Sequence, residues 1–397
     1  MRKLWIRICL LAVVCALAGS ATNQVNAQEG GWDVSGYDSI QTPLPIGSTR
    51  PGMGEVFGSA EFLYIFANRN IGNQAIAKRG FVDSDGSITG TVGQFVGSGN
   101  YALDTTSFGR TSWAPGMRLG LGYRFEDGLS ISLNYTHLFD AKYNTSASPI
   151  PPDFNTGQQL ADSFLFSPVY NFSTYFAGPQ NRVPVGSGSS PYGIWNGATD
   201  MYISYIQRYD NWDLTARLPV FETEYAKTQA VFGGRFAWIW ERFGWTTNAF
   251  DSTGNLNPAD VGNYTNIMSQ RMYGPFVGCS HDVFLGNQFS LNAEVTGALL
   301  YDIVKTKAEY ARGDMQMGSK RAADLFGLVP NVNASINLAW YPIQGVSIRV
   351  GYNIWSFFNT YYMQQPVSFN YGAIDPSYKQ KFVELFNGLN FGLAISF

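Results

Sequence analysis

The chain has 397 residues, a formal net charge of −3, 16% aromatic residues and only 14% charged residues. A soluble domain usually carries about 25% charged residues, so this composition favours a surface rich in Tyr, Phe and Trp. The acidic balance argues against nucleic acid as a partner. After the N-terminal segment, no stretch reaches the roughly eighteen uninterrupted apolar residues of a transmembrane helix.

The N terminus has the organisation of a secretory signal peptide. Its basic residues are Arg2, Lys3 and Arg7. The apolar run over residues 8–18 is too short to span a bilayer, and the small residues before Gln28 predict cleavage after Ala27. Removal of residues 1–27 takes three positive charges with it and leaves a net charge of about −6. Because Cys279 is then the only remaining cysteine, a disulfide framework is excluded.

The end of the chain reads as a β-strand with two different faces. One face is apolar: Leu389, Phe391, Leu393, Ile395 and Phe397. The alternating positions are small or polar: Asn390, Gly392, Ala394 and Ser396. Successive side chains of a strand point to opposite faces, so this pattern fits an apolar face toward lipid and a polar face toward a barrel lumen. The bare terminal aromatic resembles the ending of many bacterial outer-membrane barrels. That resemblance implies an assembly signal formed by Phe391, Leu393, Ile395 and Phe397.

The same alternation recurs along the chain and predicts about ten strands. They cover residues 57–67, 116–125, 129–139, 199–212, 226–241, 264–279, 288–303, 331–340, 346–353 and 389–397. The connections between them run long, short, long, medium, long, short, long, short, long. Outer-membrane barrels have short periplasmic turns and longer extracellular loops. The pattern therefore predicts an all-β, transmembrane, antiparallel up-and-down barrel, with twelve strands if a hairpin lies hidden within residues 140–198.

The predicted domain organisation is simple. Residues 1–27 are the signal peptide, residues 28–55 a flexible periplasmic segment rich in Gly and Pro, and residues 56–397 the barrel. The predicted connections include residues 68–114, 140–198, 213–225, 242–263, 280–287, 304–329 and 358–385. Nearly half of the mature chain would then be loop.

Several segments resemble those of planctomycete outer-membrane β-barrel proteins of the Pirellula and Rhodopirellula type. These segments are APGMRLGLGY (114–123), FGGRFAWIWERFGW (232–245), YGPFVG (273–278), VGYN (350–353) and FFNT (357–360). The resemblance covers most of residues 57–397. It implies a barrel in the outer membrane of a Gram-negative-type bacterium, and it implies no active residue.

Six charged residues fall on the polar, lumen-facing side of their strands when side chains are assigned alternately to the two faces. They are Glu61, Arg118, Arg124, Arg235, Glu294 and Arg349. Charges within a membrane-spanning element are costly unless they are paired or face water. One interpretation is a pore lining that sets ion selectivity. The other is a filled lumen, because eight strands leave room for side chains only and ten leave little more.

The sequence offers little for catalysis, cofactors or metals. Its two histidines are His137, which parity places on the lipid face as an aromatic-girdle residue, and His281, which is expected in a short periplasmic turn. The segment from Asp83 to Gly86 resembles half of a calcium loop but lacks the later ligands, so turn chemistry is the preferred interpretation. No phosphate loop, dinucleotide fingerprint or Cys/His metal spacing occurs. We therefore expect that the protein is not an enzyme and binds no cofactor.

Three functions remain open at this stage. A small porin-like channel leads, followed by a non-conducting surface barrel that acts through its long aromatic loops, and then by an outer-membrane enzyme. The expected partners are outer-membrane lipid and the barrel-assembly machinery. Small solutes are a further possible partner of a channel, and neighbouring surface proteins of a surface barrel.

Overall fold

A computed structural model describes most of the chain after the predicted signal peptide. The described residues are 54–83, 86, 88–148, 163–172, 194–223, 225–249, 256–315, 318–343, 345–375 and 378–396. The signal peptide, nearly all of the lead-in segment and the terminal Phe397 lie outside the described residues. Predictions about those parts stay predictions.

Ten long antiparallel strands close into a barrel, which confirms the predicted fold class. In chain order they are β1 (Glu55–Ala67), β2 (Trp113–Arg124), β3 (Ser130–Ala147), β4 (Asp200–Glu222), β5 (Ala226–Asn248), β6 (Val261–Gly286), β7 (Phe289–Arg312), β8 (Gly318–Ile343), β9 (Val346–Tyr361) and β10 (Lys381–Ser396). Consecutive strands pair with each other, and β1 pairs with β10 to close the ring. Because β3 pairs directly with β4, the barrel has ten strands and not twelve. Among the described residues, no helix has the length and apolar character needed to cross a membrane.

The outward faces of the strands form an apolar band. Phe391 on β10 is 58% exposed, whereas the neighbouring Asn390 is buried in the lumen. Ring pairs mark the two edges of the band: Tyr64 with Trp113 and Tyr301 with Phe326 on the long-loop side, and Tyr123 with Phe125 and Phe289 with Trp340 on the short-turn side. An apolar band between two aromatic girdles is what a barrel presents to a bilayer. The predicted inside-outside parity is therefore correct.

Several predicted connections are wrong because the strands run further than expected. The strands take up most of 213–225, 280–287 and 304–329, and part of 242–263 and 358–385. Only residues 313–317 separate β7 from β8, where a long loop is predicted.

The sequence pattern changes where the strands leave the apolar band. On β5, Phe243 and Trp245 point inward and are buried, whereas Arg242 and Thr246 point outward. Beyond the lipid, the outer face of the strand meets water and the inner face meets packed protein. Polar side chains therefore lie on the outer face there, and apolar side chains on the inner face. A prediction that requires apolar side chains on the outer face therefore ends each of these strands too early.

The strands β5 to β8 are much longer than a membrane requires. They contain 23, 26, 24 and 26 residues. A spanning strand needs about 9–11 residues. A strand of 26 residues at about 3.3 Å per residue and a tilt of about 45° reaches a height of roughly 60 Å. Since the apolar band is about 25 Å tall and begins near the short turns, the barrel projects roughly 35 Å beyond the long-loop side.

The connections at the outer end fold into this projecting part and fill it. The short strands Ala75–Arg79, Tyr101–Asp104 and Leu165–Phe166 form a small sheet there. Trp195 is fully buried and packs against Trp245 and Tyr310, with ring centroids 4.5 and 5.2 Å apart. We call the described residues of these connections, together with the outer strand ends that they contact, the dome. The dome has its own hydrophobic core.

Candidate functional site: a charged vestibule below an apolar seal

All six predicted lumen charges lie together in one cavity at the short-turn end of the barrel. The cavity has a volume of about 330 Å³ and is lined by Glu61, Arg118, Arg124, Arg235, Glu294 and Arg349, among others. Serine and asparagine side chains from several strands complete its wall. We call this cavity the vestibule.

Most of the vestibule charges are paired. The ion pairs are Arg118 with Glu61 at 3.1 Å, Arg124 with Glu55 at 2.5 Å, Arg217 with Glu294 at 3.0 Å and Arg235 with Asp213 at 2.8 Å. Charges in a low-dielectric interior are tolerable only when paired or hydrated. This pairing satisfies that requirement and favours a structural role for the arginines.

Three arginines reach across the lumen. Arg217 on β4 binds Glu294 on β7. Arg235 on β5 donates from Nη1 to Asn331 Oδ1 on β8 at 2.5 Å, and Arg118 on β2 lies 3.5 Å from Asn353 on β9. None of these strands is adjacent in the barrel. The lumen is therefore narrow enough for strands three positions apart in the ring to contact each other through single side chains.

Arg349 differs from the other arginines. Within the described part of the chain, its side chain makes no ion pair at 4.0 Å or less and no hydrogen bond, although the Asp282 carboxylate attracts it electrostatically. Asp282 itself accepts a hydrogen bond from Asn292 at 2.8 Å. Arg349 is thus the cation best placed to meet a solute that enters the vestibule.

Sequence reasoning missed four charged residues of this wall. They are Asp213, Arg217, Lys227 and Asp282. Two of them lie in residues 213–225, for which the sequence predicts a connection containing Pro219. The proline is accommodated beside a register shift between β4 and β5. The continued alternation of Asp213, Thr215 and Arg217 with Leu214 and Leu218 was the available signal.

Above the vestibule, apolar side chains close the lumen. They are Leu63, Ile65, Ala67, Leu138, Tyr209, Ala237, Ile239, Met272, Leu300, Val329, Trp355, Phe357 and Phe386. Nine of the ten strands contribute to this cluster, which we call the seal. Tyr209 on β4 packs against Phe386 on β10 at 4.7 Å and stacks on Trp355 of β9 at 5.4 Å. Because β4 lies opposite β9 and β10 in the ring, these contacts bridge the barrel.

A layer of buried polar side chains separates the seal from the dome. Glu241 accepts hydrogen bonds from the Tyr205 hydroxyl and from Gln207 and Asn70. The Gln207 amide also donates to Glu384 at 2.9 Å. All five residues are buried. Buried polar groups need partners, and this network supplies most of them.

Within the dome, a tyrosine ties the last connection to a barrel strand. Burial raises the pKa of the Tyr378 hydroxyl well above its ordinary value, so the group stays protonated. It donates a hydrogen bond to Asn266 on β6. The loop is thereby fixed to the wall on which it lies.

The two histidines have different surroundings. His137 points outward at the girdle, as predicted, with Nδ1 2.7 Å from Asp210 Oδ1 and its ring 5.2 Å from that of Phe139. The prediction for His281 is wrong, because β6 continues past it and the turn lies further on. Its Nδ1 is 2.8 Å from the Thr228 hydroxyl oxygen.

The possible metal ligands are not grouped into a site. No cluster of three or more His, Cys, Asp or Glu side chains occurs among the described residues. The Asp83 carboxylate accepts hydrogen bonds from the backbone of Ile88 and Thr89 and from the Thr89 hydroxyl. This is the turn chemistry that the sequence favours over calcium binding.

A closed ten-stranded antiparallel barrel with an apolar band between aromatic girdles defines an outer-membrane β-barrel protein. The family model of the Legionella pneumophila major outer membrane protein precursor matches residues 70–396. The chain belongs to this family, and the outer membrane is its location. No curated protein matches the sequence.

Solved structures of other outer-membrane barrels are similar to the chain at low identity. The outer membrane protease OmpT from Escherichia coli is 10% identical with a TM-score of 0.40, over 88% of this chain and 98% of that one. A FadL homologue from Pseudomonas aeruginosa is 8% identical with a TM-score of 0.21, over 87% and 90% of the two chains. An anion-selective porin from Comamonas acidovorans is 10% identical with a TM-score of 0.15, over 87% and 97%. At these values the likeness carries no argument about function.

Proposed function

We propose that the protein is a non-conducting outer-membrane barrel that presents a rigid dome at the cell surface for binding or for surface structure. The observation that carries this proposal is the seal. Ile65, Ile239 and Phe357 come from three different strands and have no exposed surface at all. A lumen crossed by such side chains offers no hydrated path for ions.

The dome suits a binding role because its loops are ordered by packing while parts of their surface stay apolar and exposed. Tyr101 and Val92 are 68% and 70% exposed. Aromatic and aliphatic groups on a fixed scaffold form contact surfaces at low entropic cost. Neighbouring surface proteins are the class of partner that such a surface fits.

The second candidate is the porin-like channel expected from the sequence. The observation that favours it is the vestibule, whose charged wall and Arg349, which has no ion pair among the described residues, are suited to meet a solute from the short-turn side. Under this alternative the seal would have to open as a gate. The resting structure then represents a closed channel.

Single-channel recording in a planar bilayer separates the two candidates. The purified, refolded chain is inserted next to a trimeric porin that serves as the positive control for insertion and resolution. We expect no current steps from the chain under either polarity. Reproducible steps whose ion selectivity changes in Arg349→Gln would reject the non-conducting proposal and favour the channel.

The remaining expectations from the sequence are proposals of the same standing. The signal peptide is cleaved after Ala27, which mass spectrometry of the mature N terminus tests. The barrel-assembly machinery and outer-membrane lipid are its partners during insertion. We also propose that the protein is not an enzyme. Origin from a planctomycete stays a prediction from the resemblance.

A further inference from the structure

We propose that the outer face of β4 to β7, just beyond the apolar band on the dome side, binds the headgroup of a phosphorylated glycolipid of the outer leaflet. This inference goes beyond the proposed function, because it concerns the outer wall of the barrel and not its lumen or its loops. Two contiguous features carry it: a set of unpaired cations and a polar groove above them.

The cations lie at the level where the lipid headgroups begin. Arg271 on β6 stands directly opposite Trp238 of the girdle, with its guanidinium 6.0 Å from the indole ring. Lys305 on β7 is diagonal to Arg271, one lipid-facing position closer to the dome. Arg242 on β5 lies one further lipid-facing position toward the dome. Diagonal neighbours in a sheet are about 7–8 Å apart. A phosphate at the hydrocarbon edge can therefore reach two of these side chains at once.

These three cations have no ion pair within the described part of the chain, unlike their neighbours. Arg208 is paired with Asp140 at 2.8 Å, and Lys307 with Glu309 at 2.6 Å. Asp324 faces Lys305 across β7 and β8 but forms no ion pair with it. Basic side chains beside the apolar surface of a membrane protein are the usual site for anionic lipid headgroups, and Arg binds phosphate oxygens with two parallel hydrogen bonds.

Directly above the cations, the outer wall contains a groove of about 650 Å³. Its floor is made of small polar or glycine positions, including Ser204, Gly244, Thr246, Asn263 and Thr265. Tyr202 and Arg242 lie at its sides. Hydroxyl and amide groups beside an aromatic face match the hydroxyls and apolar ring faces of a sugar. Arg242 belongs to both features and links the groove to the cation set.

The order of these surfaces matches the order of chemical groups in a phosphorylated glycolipid. Acyl chains meet the apolar band, phosphates meet Arg271 and Lys305, and sugars lie in the groove. An ordinary anionic phospholipid would use the cations but leave the groove empty. The surface therefore fits a lipid A-type molecule better than a glycerophospholipid or free phosphate.

The test measures how lipids shift the melting temperature of the refolded full-length chain in detergent, since a ligand of the folded state raises it. The probes are bisphosphorylated lipid A, phosphatidylglycerol and inorganic phosphate. The patch variant combines Arg242→Gln, Arg271→Gln and Lys305→Gln. The control variant removes three exposed cations away from the groove, by Arg110→Gln, Lys379→Gln and Lys381→Gln, so that both variants lose the same charge. Heat-modifiable gel migration first establishes that each variant is folded.

We expect lipid A to raise the melting temperature of the wild type and of the control variant at similar concentrations. The patch variant should need at least tenfold more lipid A for the same shift. Thr265→Trp, which fills the groove from outside, should weaken the effect of lipid A but not that of phosphatidylglycerol. The proposal is overturned if the patch variant responds like the control, or if phosphatidylglycerol or inorganic phosphate equals lipid A mole for mole.

Discussion

The ion pair between Arg235 and Asp213 provides the sharpest test of whether the vestibule is a structural network or a conducting lining. Arg235 is almost fully enclosed, with 3% of its side chain exposed. Its Nε and Nη2 atoms donate to the two Asp213 oxygens at 2.8 and 3.1 Å, and Nη1 donates to Asn331. Its guanidinium also lies 4.7 Å from the ring of Phe276.

Removing one partner of such a pair leaves an enclosed charge without compensation, which costs about 3–5 kcal/mol. Replacing both partners by apolar side chains of similar size removes the charge altogether and is often neutral. We therefore expect Asp213→Ala to destabilise the barrel by roughly 3–5 kcal/mol. The double variant Asp213→Leu with Arg235→Met should be more stable than Asp213→Ala.

The assay is equilibrium unfolding by urea of the refolded chain in detergent, followed by tryptophan fluorescence. The matched control is Glu309→Ala, which breaks the exposed pair of Glu309 with Lys307 and should change stability by no more than about 1 kcal/mol. If Asp213→Ala costs as little as the control, Arg235 must be well hydrated and the closed interior described above is incorrect. A selectivity change in planar bilayers without loss of stability would refute the structural role directly.

Three further predictions concern packing, lipid contact and the buried polar layer. Gly233→Ala should destabilise strongly or prevent folding, because the added Cβ would overlap the Leu214 carbonyl oxygen, whereas the adjacent Gly234→Ala meets open space and should be neutral in heat-modifiable gel migration. Leu214→Lys places a charge on the lipid-facing surface and should cost about 2–4 kcal/mol in unfolding experiments, while an equal stability to wild type would contradict the outward orientation of Leu214. Tyr205→Phe removes a donor to buried Glu241 and should cost roughly 1–3 kcal/mol; a thermal melt unchanged from wild type would show that water replaces the hydroxyl.

The outward half of this fold was readable from the sequence because lipid imposes a simple rule. Every spanning strand must show apolar side chains outside at every second position, as Leu389 to Ile395 do on β10. The same parity correctly assigned inward positions, including all six charges of the vestibule. The alternation of side chains along one strand does not depend on which strands face each other. It can therefore be assigned from the sequence alone.

The inward half was not readable, because contacts across a closed barrel join residues that are far apart in sequence. Tyr209 and Phe386 meet only because β4 and β10 stand on opposite walls. The predicted strand over residues 346–353 stops before Trp355 and Phe357, and the predicted last strand begins after Phe386, so three of the four aromatic residues of the seal lay outside the predicted strands. The choice between an open and a filled lumen therefore stayed undecided until the strands closed.

The size of the seal bears on whether the barrel conducts at rest. Tyr209, Trp355, Phe357 and Phe386 contact one another in pairs with ring centroids 4.7–6.3 Å apart. Exposing one large apolar side chain to water costs about 1.5–3 kcal/mol, so hydrating all four costs on the order of 6–12 kcal/mol. With about 1.4 kcal/mol for each factor of ten, fewer than about one molecule in ten thousand would have a hydrated lumen spontaneously. A ligand that opens this barrel must therefore bind the open state at least about 10⁴-fold more tightly than the closed one.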